Sequence, residues 1–295
     1  MLLRRCFVLL AIILVLPITL GAQGLDTAKI ESALGRSGQK TGEVYRIGFP
    51  RTDLHVVAEG VDIKPGLALG SWAAFSGNDQ DAMVMGDLVL LEDELNPVIR
   101  KLRSSGFEIT AVHNHLSNEK PHVLYVHYMG HGNATQIAQS LRAGLAESAT
   151  PLDKPTQSPP AEAPPFAKTI EYLLGAKGRW SSGVLAFGIP RAEPIVNGGL
   201  SLTSAQGVAE SINFQEVDAG RVATTGDFVL TADEVNPVIS ALLDHGIKIT
   251  ALHSHLLTEQ PRLFFMHFGG LGETPSVAQG IKAALDKVNT KELPK

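Results

Sequence analysis

The chain has little cysteine and no surplus of basic residues, and each shortage excludes a class of function. Its one cysteine, Cys6, lies in the first apolar run, so the rest of the chain has no thiol for a disulfide, a metal or nucleophilic catalysis. Lysine and arginine total 25 against 30 aspartate and glutamate, and the net charge is −5. We expect no nucleic-acid partner, because phosphate binding requires a basic face.

The N-terminus has the layout of a secretory signal peptide. Arg4 and Arg5 precede an apolar run from Cys6 to Leu20, and small residues follow at 21 and 22. An uncleaved membrane anchor is the alternative, but the run is short for a span of about 20 residues. The sequence predicts cleavage of residues 1–22 and a secreted or periplasmic protein that has no membrane association afterwards.

The sequence repeats itself at an offset of 140 residues. Gly86–Leu90 (GDLVL) returns as Gly226–Leu230 (GDFVL). Across 86–130 and 226–270, 22 of the 45 aligned positions are identical. A period this long indicates duplication of a whole domain, because solenoid repeats are far shorter.

The duplication predicts two domains, at 26–147 and 167–289. Between them, residues 148–166 contain six prolines, which is typical of a semi-stiff linker. Each copy mixes strands and helices without strict alternation, with a strand at Ala82–Leu91, a helix from Glu92, and a strand pair at 107–115 and 121–129. The fold class expected is α+β, a tandem duplication of a domain with a largely antiparallel sheet flanked by helices.

Each copy carries one histidine-rich hairpin, His-x-His-x3-Glu-x7-His. In the first copy its residues are His113, His115, Glu119 and His127, and in the second they are His253, His255, Glu259 and His267. If Ala111 pairs opposite His127, the three histidines of the first copy share one face of the hairpin. Three imidazoles with an open fourth position are typical of a catalytic zinc site. We expect Glu119 and Glu259 to transfer protons or to ligate the metal.

Comparison of the copies favours chemistry at this hairpin. His122 is replaced by Arg262 and His131 by Leu271, whereas the three histidines and the glutamate are present in both copies. Two alternatives stay open: the histidines form hydrogen-bonded structural pairs, or they act in metal-free acid–base catalysis.

A second shared group includes Asp87, Glu94 and Asn96. Helix-start and turn chemistry explains it, although Asp87 and Asp227 are also placed to orient a ligating histidine.

The segments from Gly226 to Leu230, Asp233 to Val238, Ile249 to His255 and Glu259 to Phe268 resemble the LppY/LpqO family of secreted bacterial proteins. The first copy has the same pattern with His122 in place of the usual arginine. The resemblance implies two tandem domains of unknown function and no particular activity. Unlike the lipoproteins of that family, this chain has no lipobox.

These observations give two hypotheses. The first is a secreted metalloprotein, with zinc as its cofactor, that acts as a hydrolase or lyase. The second is a non-catalytic extracytoplasmic module that binds a ligand or partner. In either case the partner expected is a small molecule or a cell-envelope component, and the two copies are expected to pack on each other.

Overall fold

The structure is a computed structural model that describes residues 24–153 and 162–291. The predicted signal peptide lies outside the described residues, and so does the linker segment 154–161. Within the two described ranges, no helix has both the length and the apolar character needed to cross a membrane.

The first copy contains four helices and eight strands. Its helices are α1 (Thr27–Leu34), α2 (Pro65–Ala68), α3 (Glu92–Ser104) and α4 (Ala134–Leu145). Its strands are β1 (Gln39–Thr41), β2 (Val44–Pro50), β3 (Val57–Ala58), β4 (Val61–Asp62), β5 (Gly70–Gly77), β6 (Ala82–Leu91), β7 (Glu108–His113) and β8 (Val123–Gly132).

The second copy repeats this order, with a 3-10 turn at Ser204–Gln206 near the position of α2. Its helices are α5 (Pro165–Leu174), α6 (Ala232–Asp244) and α7 (Thr274–Leu285). Its strands are β9 (Arg179–Ser181), β10 (Val184–Pro190), β11 (Ile195–Asn197), β12 (Leu200–Leu202), β13 (Ala209–Asp218), β14 (Arg221–Leu230), β15 (Lys248–His253) and β16 (Phe264–Glu273).

Each copy has one six-stranded sheet in which every pairing is antiparallel. The strand order is β1-β2-β5-β6-β8-β7 in the first copy and β9-β10-β13-β14-β16-β15 in the second. The α+β fold predicted from the sequence, with a largely antiparallel sheet in each copy, is confirmed.

Successive side chains along each strand point to opposite faces of the sheet. Leu88 and Leu90 of β6 pack with Val98 of α3 and Leu141 of α4 in a core under the helices. An equivalent core in the second copy joins Phe228 to α5, α6 and α7. One face of each sheet is therefore covered by the helices of its own copy.

The opposite faces of the two sheets meet each other. Val89 and Tyr125 of the first copy share a buried cluster with Ala223 of the second. Met83 and Met85 share another with second-copy residues that include Phe265. The molecule thus has four layers, helix, sheet, sheet and helix, and the hairpin histidines lie in the middle of it.

The register of the hairpin matches the sequence prediction. Ala111 pairs with His127, and His113 pairs with Tyr125, after a bulge that lies between Ile109 and Ala111. The second copy repeats the pairing, with Ala251 opposite His267. On the other side of β8, Asp87 pairs with His127, which brings a carboxylate beside the histidines.

A candidate metal centre between the two copies

The six hairpin histidines form one cluster rather than two separate sites. Three pairs of rings stack across the boundary between the copies. Their centroid separations are 3.9 Å for His113 with His253, 3.8 Å for His115 with His267, and 3.6 Å for His127 with His255. His115 in the first copy is equivalent to His255 in the second, and His127 is equivalent to His267. Exchange of the two copies therefore converts the second pair into the third, and an approximate two-fold axis passes between His113 and His253.

Two groups of side chains within this cluster have the geometry to hold a metal ion. One contains His113, His253, His255 and His267, whose ligand atoms all lie within 4.8 Å of one another. The other contains Asp87, His113 and His115 under the same limit. The donors of each group are close enough together to be candidates for sharing one ion, and His113 belongs to both.

Four of the six histidines are buried and two, His115 and His253, are half-buried, and this burial keeps them uncharged. It lowers the pKa of His253 to about 4, and together with repulsion by His253 it lowers that of His127 to about 3. The pKa values of the other four are also well below their ordinary range, first because of burial and then because of neighbouring histidines. Neutral imidazoles keep the lone pairs that a metal ion requires.

Several ring nitrogens of the cluster lack hydrogen-bond partners. Among the described residues, none bonds to Nε2 of His127, His255 or His267, or to either nitrogen of His253. Nε2 of His113 and Nε2 of His115 lie 3.1 Å apart, so one proton at most fits between them. Nδ1 of His267 donates to the carbonyl of Gly226 at 3.2 Å, which fixes the tautomer with a free lone pair on Nε2.

Two carboxylates border the cluster, one from each copy. An oxygen of Asp87 lies 3.6 Å from Nε2 of His115 and 3.7 Å from Nε2 of His127. Asp227 lies 3.8 Å from Nδ1 of His255 and 3.7 Å from Nδ1 of His267. Burial raises the pKa of Asp87 to about 8 and that of Asp227 well above its usual range.

The comparisons with known proteins agree with the duplication. The sequence profile of the Domain of Unknown Function (DUF1259) matches residues 28–147 and again residues 168–287. The chain belongs to the DUF1259 family. No curated protein matches it at a significant level.

Three solved structures show a distant likeness to this DUF1259 protein. The trimeric bacterial microcompartment shell protein PduB is 11% identical and covers 85% of this chain and 89% of its own. EtuB from Clostridium kluyveri is 9% identical, with coverage of 84% and 88%, and TP0453 is 14% identical, with coverage of 85% and 96%. All three have a TM-score of 0.20, which carries no argument about this chain.

The glutamate of each DUF1259 hairpin bonds to its own turn. Oε1 of Glu119 accepts from the Val123 N–H at 3.2 Å and lies 2.6 Å from Nδ1 of His122. Glu259 accepts from the Leu263 N–H at 2.9 Å and from Arg262 at 3.2 Å. Neither glutamate belongs to a candidate ligand group. The proton-transfer role predicted for the two residues stays a prediction.

The structure also brings residues to this region that the sequence did not single out. Arg46 and Trp72 lie beside Asp87 and His115 on the wall of a cleft. Their positions in the second copy hold Ala186 and Ser211, so the comparison of the repeats gave no signal for them.

Proposed function

We propose that this protein is an exported metalloprotein and that histidines from both DUF1259 copies hold its ion, which we take to be zinc. The observation that carries the proposal is the convergence of four ring-nitrogen ligands, from His113, His253, His255 and His267, within 4.8 Å of one another.

The unpartnered ring nitrogens support this proposal energetically. A buried polar atom without a hydrogen bond costs about 1–3 kcal/mol, and the cluster contains several. A purely structural core at this place would gain stability if apolar side chains replaced the histidines. A metal ion would supply the missing partners of the ring nitrogens, and it would explain why the histidines are present in both copies.

The ligand scheme proposed here keeps all six predicted histidines but distributes them across the copies. His253, His255 and His267 supply three ligands from one hairpin, and His113 of the other copy supplies the fourth. His115 and His127 lie beside Asp87, in the position of ligands to a second ion or of partners to the first. Residues 24–295 contain no cysteine, so a zinc site there must use ligands such as imidazole in place of thiolate.

We further propose hydrolase or lyase chemistry on a small molecule or cell-envelope component. Four imidazoles fill a tetrahedral zinc site, so this chemistry requires the ion to take a fifth ligand, through which it would polarise a carbonyl oxygen or acidify a water molecule. Asp87 and Asp227 are placed to hold or accept a proton beside the imidazoles, because their oxygens lie within 3.8 Å of ring nitrogens. These contacts favour the two aspartates over Glu119 and Glu259 for that role.

One observation favours the alternative of a non-catalytic extracytoplasmic binding module. Oε1 of Glu119 and Oε1 of Glu259 each accept a turn hydrogen bond, and neither glutamate belongs to a candidate ligand group. Metal content separates the metalloprotein from a metal-free module, and turnover of a substrate by the metal-loaded protein separates the enzyme from a metal-binding module.

The first experiment measures zinc in the purified full chain by mass spectrometry, with His253→Ala and the matched control His131→Ala. His131 is exposed and outside the cluster. We expect zinc in the wild type and in His131→Ala, and a clear loss in His253→Ala. Zinc at 100 times its dissociation constant should stabilise the wild type by about 2.7 kcal/mol. Wild-type protein that purifies without metal and gains no stability from zinc would contradict the proposal.

We also propose that the protein is exported and that its two domains are of the LppY/LpqO type. The signal peptide over 1–22 and the LppY/LpqO resemblance both point to a secreted or periplasmic protein with domains at 26–147 and 167–289. N-terminal sequencing of the exported protein tests this, and a chain that begins after residue 22 is the expected result.

A further inference from the structure

A cleft of about 350 Å³ opens beside the histidine cluster, between the two sheets. Small-molecule sites commonly occupy about 300–1,000 Å³. The charged and aromatic residues on its wall are Arg46, Trp72, Asp87, His115, Tyr125, Arg179 and Asp227. His115 also belongs to a candidate ligand group, so the cleft reaches the proposed metal centre.

Arg46 is the most distinctive side chain of this cleft. Its guanidinium lies 3.7 Å from the centroid of the Trp72 ring, and Nη1 donates to the carbonyl of Ala205 at 2.7 Å. Across the described ranges, no carboxylate lies within 4.0 Å of its nitrogens. Burial lowers its pKa to about 10, so it stays charged at neutral pH. The tryptophan and the carbonyl hold the guanidinium in place while its other N–H groups keep free bonding capacity.

The two copies differ at the positions of Arg46 and Trp72. In the strand register, Gly48 pairs with Trp72 in the first copy, and Gly188 pairs with Ser211 in the second. Ala186 occupies the position equivalent to Arg46. The arginine–tryptophan pair is therefore specific to the first copy, unlike the histidines.

We propose that this cleft binds a small carboxylate-bearing molecule and that Arg46 holds its carboxylate. A planar guanidinium with free N–H groups matches a carboxylate in charge and geometry. Arg46 carries one positive charge, which balances a monoanionic carboxylate more fully than a dianionic phosphate. The rest of the molecule then extends past His115 toward the histidine cluster, a point that rests on the function proposed above.

Calorimetric titration of the full chain with acetate, glycolate and benzoate tests the proposal, with benzamide as the neutral counterpart of benzoate and phenyl phosphate as the dianion. The key variant is Arg46→Met, which keeps side-chain length, and Arg100→Met is its control. Arg100 is exposed on α3, away from the cleft. We expect at least one carboxylate to bind saturably, and Arg46→Met to weaken it about 10- to 100-fold while Arg100→Met leaves it unchanged.

A blocking variant checks the location of the site. An added Cβ at Gly48 would meet no described atom within 4 Å, and Gly48 lines the cleft. Gly48→Val should therefore narrow the cleft and weaken binding, because its added Cβ has free space. Gly188 has the same free space in the second copy and does not line the cleft, so Gly188→Val should bind normally.

The titrations are run on chelator-treated protein and on zinc-loaded protein, so that the two proposals fail separately. Arg46-dependent binding by protein that takes up no zinc would leave the carboxylate site standing and contradict the metal centre. The carboxylate site is overturned if no carboxylate binds, if benzamide or phenyl phosphate binds as well as benzoate, or if Arg46→Met behaves like Arg100→Met.

Discussion

Glu94 and Glu234 occupy equivalent positions in the two copies, and both have a structural role. Glu94 lies in the first turn of helix α3, pairs with the fully buried Arg51 at 2.7 Å, and accepts from the N–H groups of Leu91 and Ala149. Glu234 repeats the arrangement with Arg191 at 2.8 Å. The helix-start explanation from the sequence therefore accounts for these acids, whereas the buried arginine partners, more than 40 residues away in sequence, could not be inferred from local patterns.

The Glu94 pair gives a pH prediction. Burial alone would raise the pKa of Glu94, but hydrogen bonds from Arg51 and the backbone outweigh it and hold the pKa below its ordinary value of 4.5. A depressed pKa stabilises the folded state fully above the unfolded value, and this stability is lost as pH falls through the folded value.

In urea titrations between neutral pH and pH 3, we expect the Glu94 contribution to the free energy of unfolding, measured as the difference between wild type and Glu94→Gln, to shrink below about pH 4.5. Glu94→Gln should be less stable at neutral pH and should show a smaller loss on acidification. An identical slope in Glu94→Gln and wild type would exclude this ion pair as a source of acid sensitivity.

For the hairpin histidines, the sequence predicted the register of the strands. Their identity and spacing predicted three imidazoles on one hairpin face, and the pairing of Ala111 with His127 confirms the register. Their roles as ligands remain a prediction.

At the scale of elements, the glycine before each buried aspartate has a steric reason. A Cβ at Gly86 would lie 2.1 Å from the carbonyl oxygen of Trp72, and one at Gly226 would lie 2.0 Å from that of Ser211. Both obstacles are backbone atoms of the neighbouring strand, which cannot move without loss of strand pairing. The Gly-Asp motif thus combines close strand packing with a carboxylate on the inner face.

Gly86→Ala should destabilise the protein by about 1–3 kcal/mol, because overpacking shifts the β5–β6 pairing. Gly48→Ala is the matched control, since its new methyl group meets open space. The measurement is the urea midpoint of each variant. Equal midpoints for the two variants would show that the β5–β6 contact relaxes without cost.

Most long elements followed from hydrophobic periodicity and helix-start residues. The strand at Ala82–Leu91 and the start of the helix at Glu92 match the structure. Strand β5 was not predicted, because Gly70–Gly77 has small residues and no strict alternation. The strand expected over 107–115 ends at His113, before His115 enters the loop.

At the scale of the whole molecule, the sequence suggested that the copies pack together but gave no register for the contact. No pattern within one copy specifies which residues of the other will lie opposite. The interleaved rings result from this packing, as do the bonds from Asn114 to the Thr250 carbonyl and from Thr250 to the His115 carbonyl.

The buried amide of Gln215 should couple the stability of the two copies. Its nitrogen donates to the carbonyl of Asp62 at 2.6 Å, and its oxygen accepts from the N–H of Lys64 at 2.9 Å. Gln215→Leu leaves both groups of the first copy unpartnered and should cost about 2 kcal/mol.

Calorimetry should show one unfolding transition that moves as a unit in Gln215→Leu, with Gln80→Leu, at an exposed site, as the control. If two transitions appear and Gln215→Leu shifts only one of them, the copies unfold independently.

Anomalous diffraction at the zinc edge, from crystals of the full chain grown with zinc, tests the central claim most directly. We predict a peak between the ring nitrogens of His113, His253, His255 and His267, with metal–nitrogen distances of about 2.0–2.1 Å. A difference map without a peak among these imidazoles, or with zinc only at surface sites, would contradict the metal centre.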